Sequence, residues 1–299
     1  MTTPSSEALL GVAARAAGVP AGAVDVLTHR EGRLVGRAHL PGGRCAAVKV
    51  AAEASAFASE VRAVDTLAAA GLPVSRVHRH EEGPPSVVVL EWAPGRSLHA
   101  GDPRAVRAEV LTLLGRVHAL PAAAPYGGTT ADLVSWIDGW TRHALGWWTA
   151  QEGVAADAVA RAEAWWLCVR PMVDGRAGST VLLDGRPEHF VVDDDGAVRM
   201  IDLADLQPGD PVMDLAVLEL GAPGVVEDLL DGYRQAEVGA EHLRELLPYY
   251  VFLRGLAAAE FHADVLGDRH AAAALAAESG RLVDPRGRAS SQLATDDVG

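Results

Sequence analysis

Apolar and polar residues alternate along residues 24–50, and the turn-forming residues Glu31-Gly32 and Pro41-Gly42-Gly43 interrupt the alternation. Period-two alternation broken by glycine and proline is typical of antiparallel strands, so three strands are predicted here. Apolar residues then recur at helical spacing over residues 54–70, and the continuous apolar run of residues 86–90 predicts a buried strand. This first part of the chain therefore predicts a small antiparallel sheet with one main helix.

Helical spacing dominates the chain beyond residue 102. Asp102-Pro103 is a suitable helix start, with Asp as the N-cap and Pro in the first turn. Residues 131–170 and 225–277 predict further amphipathic helices. The first of these segments is rich in tryptophan, and core packing is favoured over a binding role for its indole rings. The second part of the chain is therefore expected to be mostly helical.

A break at Pro94-Gly95 separates the strand-rich part from the helix-rich part. We predict an α+β fold with an N-terminal domain of residues 1–93 and a C-terminal domain of residues 94–280. Residues 281–299 are polar and lack periodicity, so they are predicted to be a disordered tail.

One stretch of the second part contains candidate active-site residues. Two short apolar runs flank Asp-Asp-Asp-Gly, and an Asp-Gly pair between such runs predicts a hairpin. With Asp195 and Gly196 as the two loop residues, counting back along both strands places His189 directly opposite Asp202. Directly opposed side chains lie about 5 Å apart on one face of the ribbon. The sequence thus predicts that an imidazole and a carboxylate meet, near Asp184 in the preceding loop.

Residues 184–189 (DGRPEH) match the catalytic loop of kinases, in which a metal ligand follows the catalytic Asp by five residues. Residues 202–204 (DLA) stand where protein kinases have Asp-Phe-Gly, and GDP at 209–211 and DLA at 214–216 follow. In spacing and order the chain resembles the aminoglycoside phosphotransferase family of small-molecule kinases. The resemblance implies a two-lobed, protein-kinase-like fold, with a small antiparallel-sheet lobe followed by a larger, mostly helical lobe.

The resemblance assigns the binding of ATP or GTP mainly to the first lobe. Lys49 would hold the phosphates, and Glu60 on the following helix would pair with it. Lys49 is the only lysine in the chain, whereas arginine is common, and a compact ammonium is not interchangeable with a planar guanidinium. The backbone at Glu91, Trp92 and Ala93 would meet the purine ring.

The same resemblance implies roles for the residues around the hairpin. His189 and Asp202 would bind Mg²⁺. Asp184 would orient the acceptor hydroxyl and take its proton, and Arg186 would meet the γ-phosphate. Asp214 would brace the backbone of the catalytic loop rather than touch the substrate.

Two departures from the family pattern bear on activity. Leu182-Leu183 precede Asp184 where the family usually has His-Gly, and His189 replaces the usual Asn. An imidazole is a poorer Mg²⁺ ligand than an oxygen, but macrolide phosphotransferases and aminoglycoside 2''-phosphotransferases also have His at this position. The resemblance implies phosphorylation of an antibiotic such as an aminoglycoside, a macrolide or another sugar-bearing natural product. A metabolite kinase acting on choline, homoserine or a sugar amine and a nucleotide-binding pseudokinase are the alternatives.

Charge and composition narrow the expected partners. The net charge of −14 argues against nucleic acid as a partner and weakly favours a cationic acceptor. No apolar run reaches the about 18 residues that a membrane span needs, and the N-terminus lacks the basic segment of a signal peptide. Cys45 and Cys168 are expected to be free thiols. We therefore expect a cytoplasmic protein, monomeric or homodimeric, that acts on a hydroxyl of a small molecule.

Overall fold

The computed structural model describes residues 4–30, 32–121, 130–174, 176, 178–226, 229–230, 233 and 240–283. The chain forms two compact units. The first unit comprises Met1–Leu98, Asp102–Val110 and Pro187–Leu206, and the second comprises His99–Gly101, Leu111–Arg186 and Gln207–Gly299. The hairpin after His189 thus belongs to the first unit, whereas the boundary predicted after residue 93 assigns it to the C-terminal domain.

The helices and strands have the following bounds. The α-helices are α1 (Ser6–Ala17), α2 (Ala58–Ala69), α3 (Arg104–His118), α4 (Thr130–Thr149), α5 (Ala156–Val173), α6 (Val212–Gly221), α7 (Ala240–Asp264) and α8 (Arg269–Val283). The strands are β1 (Val24–Arg30), β2 (Arg33–His39), β3 (Cys45–Ala51), β4 (Val77–Glu81), β5 (Ser86–Glu91), β6 (Arg96–Ser97), β7 (Ser179–Val181), β8 (Phe190–Val192), β9 (Val198–Met200) and β10 (Gln207–Gly209).

The first unit is organised around an antiparallel five-stranded sheet with the order β1-β2-β3-β5-β4. The three strands predicted from alternation are β1, β2 and β3, which confirms the α+β fold class. Val48 and Val50 of β3 are fully buried and share a hydrophobic core with Leu9 of α1. Because side chains alternate across a strand, Lys49 lies on the sheet face opposite to this core.

The hairpin formed by β8 and β9 is present, but its predicted register is wrong by one residue. Val192 pairs with Val198, and the amide of Ile201 donates to the carbonyl oxygen of His189 at 2.9 Å. The residue opposite His189 is therefore Ile201 and not Asp202. A shift of one residue normally moves a side chain to the other face of the ribbon, so a further feature must bring the two predicted metal ligands together.

Asp193 explains the shifted register. Its Oδ1 accepts hydrogen bonds from the amides of Asp195 and Ala197, at 3.0 and 2.8 Å. The amide of Asp193 donates to the carbonyl oxygen of Ala197, so residues 194–196 form the loop. Gly196 takes the left-handed conformation (φ +82°) that a three-residue hairpin loop requires at this position.

The tryptophan-rich segment forms α4 and α5 of the second unit, and three of its indole rings are core residues. Trp165 and Trp166 contact the ring of Tyr249 on α7, with centroids 5.1 and 5.4 Å apart, and Trp148 contacts Phe252 at 5.4 Å. All five side chains are buried. Core packing therefore accounts for these rings, as the sequence favoured.

A buried ion pair holds the segment that leads into α6. Asp210, the acid of the Gly-Asp-Pro sequence, is fully buried, and its two oxygens accept hydrogen bonds from Arg176 at 2.7 and 3.0 Å. The hydroxyl of Tyr250 and the amide of Val212 also donate to this carboxylate, at 2.7 and 3.0 Å. Four hydrogen bonds from within the second unit thus offset the burial of the Asp210 charge.

The last described helix extends into the predicted tail. Val283 is buried at the end of α8, so residues 281–283 are helical rather than part of a disordered segment. The remainder of that predicted segment, residues 284–299, lies outside the described residues. Among the helices that the structure describes, none combines the length and the apolar character that crossing a bilayer requires.

Candidate active site

Lys49 lies between two carboxylates in the first unit. Its Nζ is 2.7 Å from Oε1 of Glu60 and 2.8 Å from Oδ1 of Asp202. The Lys49 side chain is 13% exposed, that of Glu60 is 3% exposed, and that of Asp202 is 47% exposed. Glu60 reaches Lys49 from the buried side of α2. The structure thus brings together three of the residues that the sequence selected.

Burial and charge act in opposite directions on Lys49. Burial alone would lower the pKa of Lys49, but the carboxylates of Glu60 and Asp202 outweigh it and raise the pKa. Burial raises the pKa of Glu60, the Lys49 ammonium offsets only part of this rise, and the nearby carboxylate of Asp202 adds a smaller rise. Lys49 is therefore a charged ammonium held in a fixed position. Its partner Glu60 is buried, whereas its partner Asp202 is exposed to solvent.

His189 contributes an imidazole to the same site. It is 8% exposed, and its Nε2 lies 3.6 Å from Oδ2 of Asp202, which is longer than a hydrogen bond. Asp202, two residues after the end of β9, has a left-handed backbone with φ +56°. This turn brings its side chain towards His189 although the two residues are not opposed in the register. Asp tolerates the left-handed region better than most residues.

His189 and Asp202 suit a cation that keeps open positions. Two ligands on adjacent corners of an octahedron with bonds of about 2.1 Å lie about 3 Å apart, so the 3.6 Å separation needs only a small adjustment. Within the described part of the chain, no group of three or more His, Cys, Asp or Glu side chains is arranged to hold a metal ion. Phosphate oxygens and water would have to complete such a site, which is the usual manner of Mg²⁺ binding.

Asp184 and Arg186 are neighbours in the second unit. Oδ1 of Asp184 lies 2.9 Å from Nε of Arg186, and both side chains have solvent access. Leu183, directly before Asp184, adopts the left-handed conformation with φ +60°. This is the position at which the resembled family usually has glycine, which adopts this conformation without strain. The chain therefore keeps the turn although it lacks the glycine.

Asp214 holds that turn. Its Oδ2 accepts a hydrogen bond from the amide of Leu182 and its Oδ1 accepts one from the amide of Leu183, both at 2.7 Å. Nε2 of His118 contacts the same carboxylate at 2.9 Å, and Nδ1 of His118 is bonded to the hydroxyl of Tyr233. Asp214 is fully buried. It braces the loop backbone, as the resemblance implied, and His118 is one of its supports.

Glu91, Trp92 and Ala93 follow each other at the end of β5 in the first unit. Glu91 pairs with Ala46, which belongs to the α1 side of the sheet, and its carboxylate lies 2.6 Å from Arg199. Partial burial would raise the pKa of Glu91, but the Arg199 guanidinium outweighs this effect and lowers it. The Glu91 side chain is thus engaged in an ion pair.

Two arginines of this region were not selected from the sequence. Arg199 pairs with Glu91, and the guanidinium of Arg37 lies over the Trp92 ring, 4.8 Å from its centroid. The signal for Arg37 was available, since alternation along β2 puts it on the same sheet face as Lys49. Nothing in the local pattern indicated a role for Arg199. Its partner Glu91 is distant in sequence, and their contact depends on how the hairpin packs.

Comparison with known protein families assigns the chain to a family. A family model described as the phosphotransferase enzyme family matches residues 28–256, which is most of the chain. The chain belongs to the phosphotransferase enzyme family. The protein is accordingly an O-phosphotransferase, and the match includes every residue from Lys49 to Asp214 discussed above.

Solved structures share the fold of this phosphotransferase. A macrolide 2'-phosphotransferase, MphH from Brachybacterium faecium, is 19% identical with a TM-score of 0.63, and the match covers 90% of this chain and 97% of that one. A choline/ethanolamine kinase family protein from Mesorhizobium loti is 18% identical with a TM-score of 0.66, over 93% and 95% of the two chains. A thermostable mutant of aminoglycoside phosphotransferase APH(4)-Ia, in a ternary complex with ADP and hygromycin B, is 18% identical with a TM-score of 0.64, over 87% and 92%. No curated protein matches the chain by sequence.

Proposed function

We propose that this phosphotransferase transfers the γ-phosphate of ATP or GTP to a hydroxyl of a small molecule. The position of Lys49 between Glu60 and Asp202 is the observation that carries the proposal. An ammonium fixed by a buried carboxylate on one side, and by an exposed one on the other, can exchange the exposed partner for phosphate oxygens. The backbone of Glu91, Trp92 and Ala93 would receive the purine at the end of β5.

Asp184 would act on the acceptor. Its carboxylate would orient the acceptor hydroxyl and accept the hydroxyl proton while the oxygen forms a bond to the γ-phosphorus. The bond between the γ-phosphorus and the bridging oxygen breaks in the same process, and the nucleoside diphosphate leaves. Arg186, whose guanidinium already lies 2.9 Å from Asp184, would stabilise the charge on the transferred phosphoryl group.

His189 and Asp202 would hold Mg²⁺ together with the nucleotide phosphates. When bound there, Mg²⁺ supplies positive charge to the phosphate oxygens. The side chains themselves fix where that charge is placed: Asp202 through its left-handed backbone and His189 through its burial.

An antibiotic is the acceptor class that we favour. Structures with this fold include a macrolide phosphotransferase, an aminoglycoside phosphotransferase with hygromycin B bound, and an amicoumacin kinase. The net charge of −14 would attract a cationic acceptor. Resistance or self-protection in the cytoplasm would be the corresponding role. A metabolite kinase is the second candidate, because the choline/ethanolamine kinase family protein is as similar in fold as the antibiotic kinases.

A screen of acceptors tests the proposal. The protein is incubated with ATP or GTP and Mg²⁺, and hydroxyl-bearing antibiotics, choline, homoserine and sugar amines are examined by mass spectrometry for an added phosphate. Phosphorylation that is lost in Asp184→Asn supports the enzyme, and the identity of the product separates antibiotic from metabolite. Nucleotide binding without turnover on any acceptor would instead indicate a pseudokinase. Resistance conferred on sensitive cells provides an independent check.

The raised pKa of Glu60 leads to a pH-dependent prediction. At neutral pH, we expect Glu60→Gln to weaken ADP binding by about tenfold, through loss of one charge-assisted bond to Lys49. The Glu60 pKa lies above its ordinary value of 4.5, so the wild-type side chain loses its charge at a higher pH than an exposed Glu would. As the pH falls through that pKa, the wild type becomes neutral at position 60 as well, and the two dissociation constants should converge.

Titration calorimetry with ADP at several pH values measures this ratio. The wild type and the variant share all other titrating groups, so those effects cancel. A ratio that stays constant as the pH is lowered would show that the charge on Glu60 does not support nucleotide binding.

A further inference from the structure

Four side chains on one face of the first unit's sheet form a cluster that phosphoryl transfer does not use. The register pairs Asp25 with Arg37 and His39 with Cys45. Arg37 and His39 are two residues apart on β2, so all four positions share a face. Lys49 lies four residues after Cys45 on β3 and shares that face as well. We call the four residues the Cys45 cluster.

The contacts within the Cys45 cluster connect a carboxylate, an imidazole and a thiol. Nε2 of His39 lies 2.6 Å from Oδ2 of Asp25, and Nδ1 of His39 lies 3.9 Å from Sγ of Cys45. Nε of Arg37 donates a hydrogen bond to the same sulfur at 3.2 Å. Cys45 is half-buried, whereas the side chains of Asp25 and His39 are exposed.

The proton positions follow from these partners. The carboxylate of Asp25 can only accept a hydrogen bond, so Nε2 of His39 carries the proton. A neutral imidazole then presents an unprotonated Nδ1 to the thiol of Cys45. His39 is therefore placed to accept the thiol proton, and the Arg37 guanidinium is placed to stabilise the negative charge left on sulfur.

Arg37 also connects the thiol to Trp92. Its guanidinium carbon lies 4.8 Å from the centroid of the Trp92 ring, while its Nε contacts Cys45. One guanidinium thus serves both partners. A group attached to the sulfur competes for the space and the hydrogen bond that Arg37 now occupies, so it would displace the guanidinium from the ring.

We propose that Cys45 is a site of reversible disulfide formation with small disulfides, and that its modification weakens nucleotide binding by moving Arg37 off Trp92. The thiol proton passes to Nδ1 of His39, and the sulfur attacks one sulfur of the small disulfide. The disulfide bond breaks, and the departing thiolate takes the proton from His39. One protein thiol and one small disulfide thus give one mixed disulfide and one small thiol. The effect on the nucleotide rests on the function proposed above.

Cys168 provides an internal control. It is exposed on α5, and no hydrogen bond to its sulfur occurs among the described residues. Access alone would make Cys168 the faster of the two thiols. The contacts of the Cys45 cluster predict the opposite order, and we expect Cys45 to react about tenfold faster despite its lower exposure.

Oxidised glutathione and peptide mass spectrometry measure the two rates on the full chain. Trypsin releases Cys45 on the five-residue peptide that follows Arg44 and ends at Lys49, apart from Cys168. His39→Gln keeps a hydrogen-bonding partner for Asp25 but removes the base, so the Cys45 rate should fall to about that of Cys168. His29→Gln, at an exposed histidine on β1, is the matched control and should change neither rate. Equal rates in the wild type, or a Cys45 rate unchanged by His39→Gln, would overturn the reactive thiol.

Measurements of ADP affinity in a Cys168→Ser background test whether modification of Cys45 weakens nucleotide binding. Glutathionylated protein should bind ADP about three- to tenfold more weakly than the reduced protein, and reduction should restore the affinity. Unchanged ADP affinity after modification overturns the connection through Arg37. If the reduced protein binds no ADP, the proposed nucleotide site fails and the connection fails with it, while the two rates still decide whether Cys45 is reactive.

Discussion

Replacing Asp184 with asparagine is expected to lower kcat for phosphoryl transfer by about a thousandfold, with ADP affinity changed little. An amide has the size of the carboxylate but cannot accept the acceptor's proton, and it orients a hydroxyl less strongly than a charged group does. Arg186 would lose its charged partner at 2.9 Å without losing the space it occupies. Asp214 and its two bonds to the Leu182 and Leu183 amides are unaffected, so the turn should persist.

Product formation measured by mass spectrometry and ADP binding measured by calorimetry together check this expectation. Asp157→Asn, at an exposed carboxylate on α5 that pairs with Arg161, serves as the matched control and should retain full activity. If Asp184→Asn keeps more than about a tenth of the wild-type kcat, Asp184 is not the base, because general bases contribute at least about a hundredfold.

Replacing Lys49 with arginine is expected to lower kcat/KM by about a hundredfold or more, even though the charge is retained. The Lys49 ammonium contacts Glu60 and Asp202 through a single nitrogen, at 2.7 and 2.8 Å. A planar guanidinium is wider and would pair with the buried Glu60 through two N–H groups. It would satisfy the buried carboxylate, so the fold should survive, but it would not place one cation where the phosphates are expected.

Activity, ADP affinity and thermal unfolding distinguish this outcome from simple misfolding. Arg79→Lys, at an exposed arginine on β4 paired with Glu81, is the matched control and should change none of the three. An unaltered kcat/KM in Lys49→Arg would mean that the single lysine of the chain is not required to be a lysine.

Local patterns were sufficient for much of the fold. Alternation over residues 24–50 located β1, β2 and β3, and helical spacing located the helix that carries Glu60. The contact between Glu60 and Lys49 was expected from the resemblance to kinases, and the structure contains it. Local sequence thus predicted the elements, and the resemblance predicted the contact between them.

The hairpin register could not be predicted from the local pattern. Three consecutive Asp residues before Gly196 offer several possible loops, and only the two amide bonds accepted by Asp193 select the observed one. The approach of His189 to Asp202 was correctly expected, but for a reason that does not hold. It depends on the left-handed backbone at Asp202, which the sequence did not indicate. The Arg176–Asp210 pair could not be predicted either, since each of the two residues has many possible partners elsewhere in the sequence.

Leu183 adopts a backbone conformation that costs a residue with a side chain about 1–2 kcal/mol. The carboxylate of Asp214 bonds two successive amides there, so the turn does not depend on glycine alone. The position of Asp184 in this chain therefore does not require a glycine before it, because the Asp214 carboxylate holds the two preceding amides.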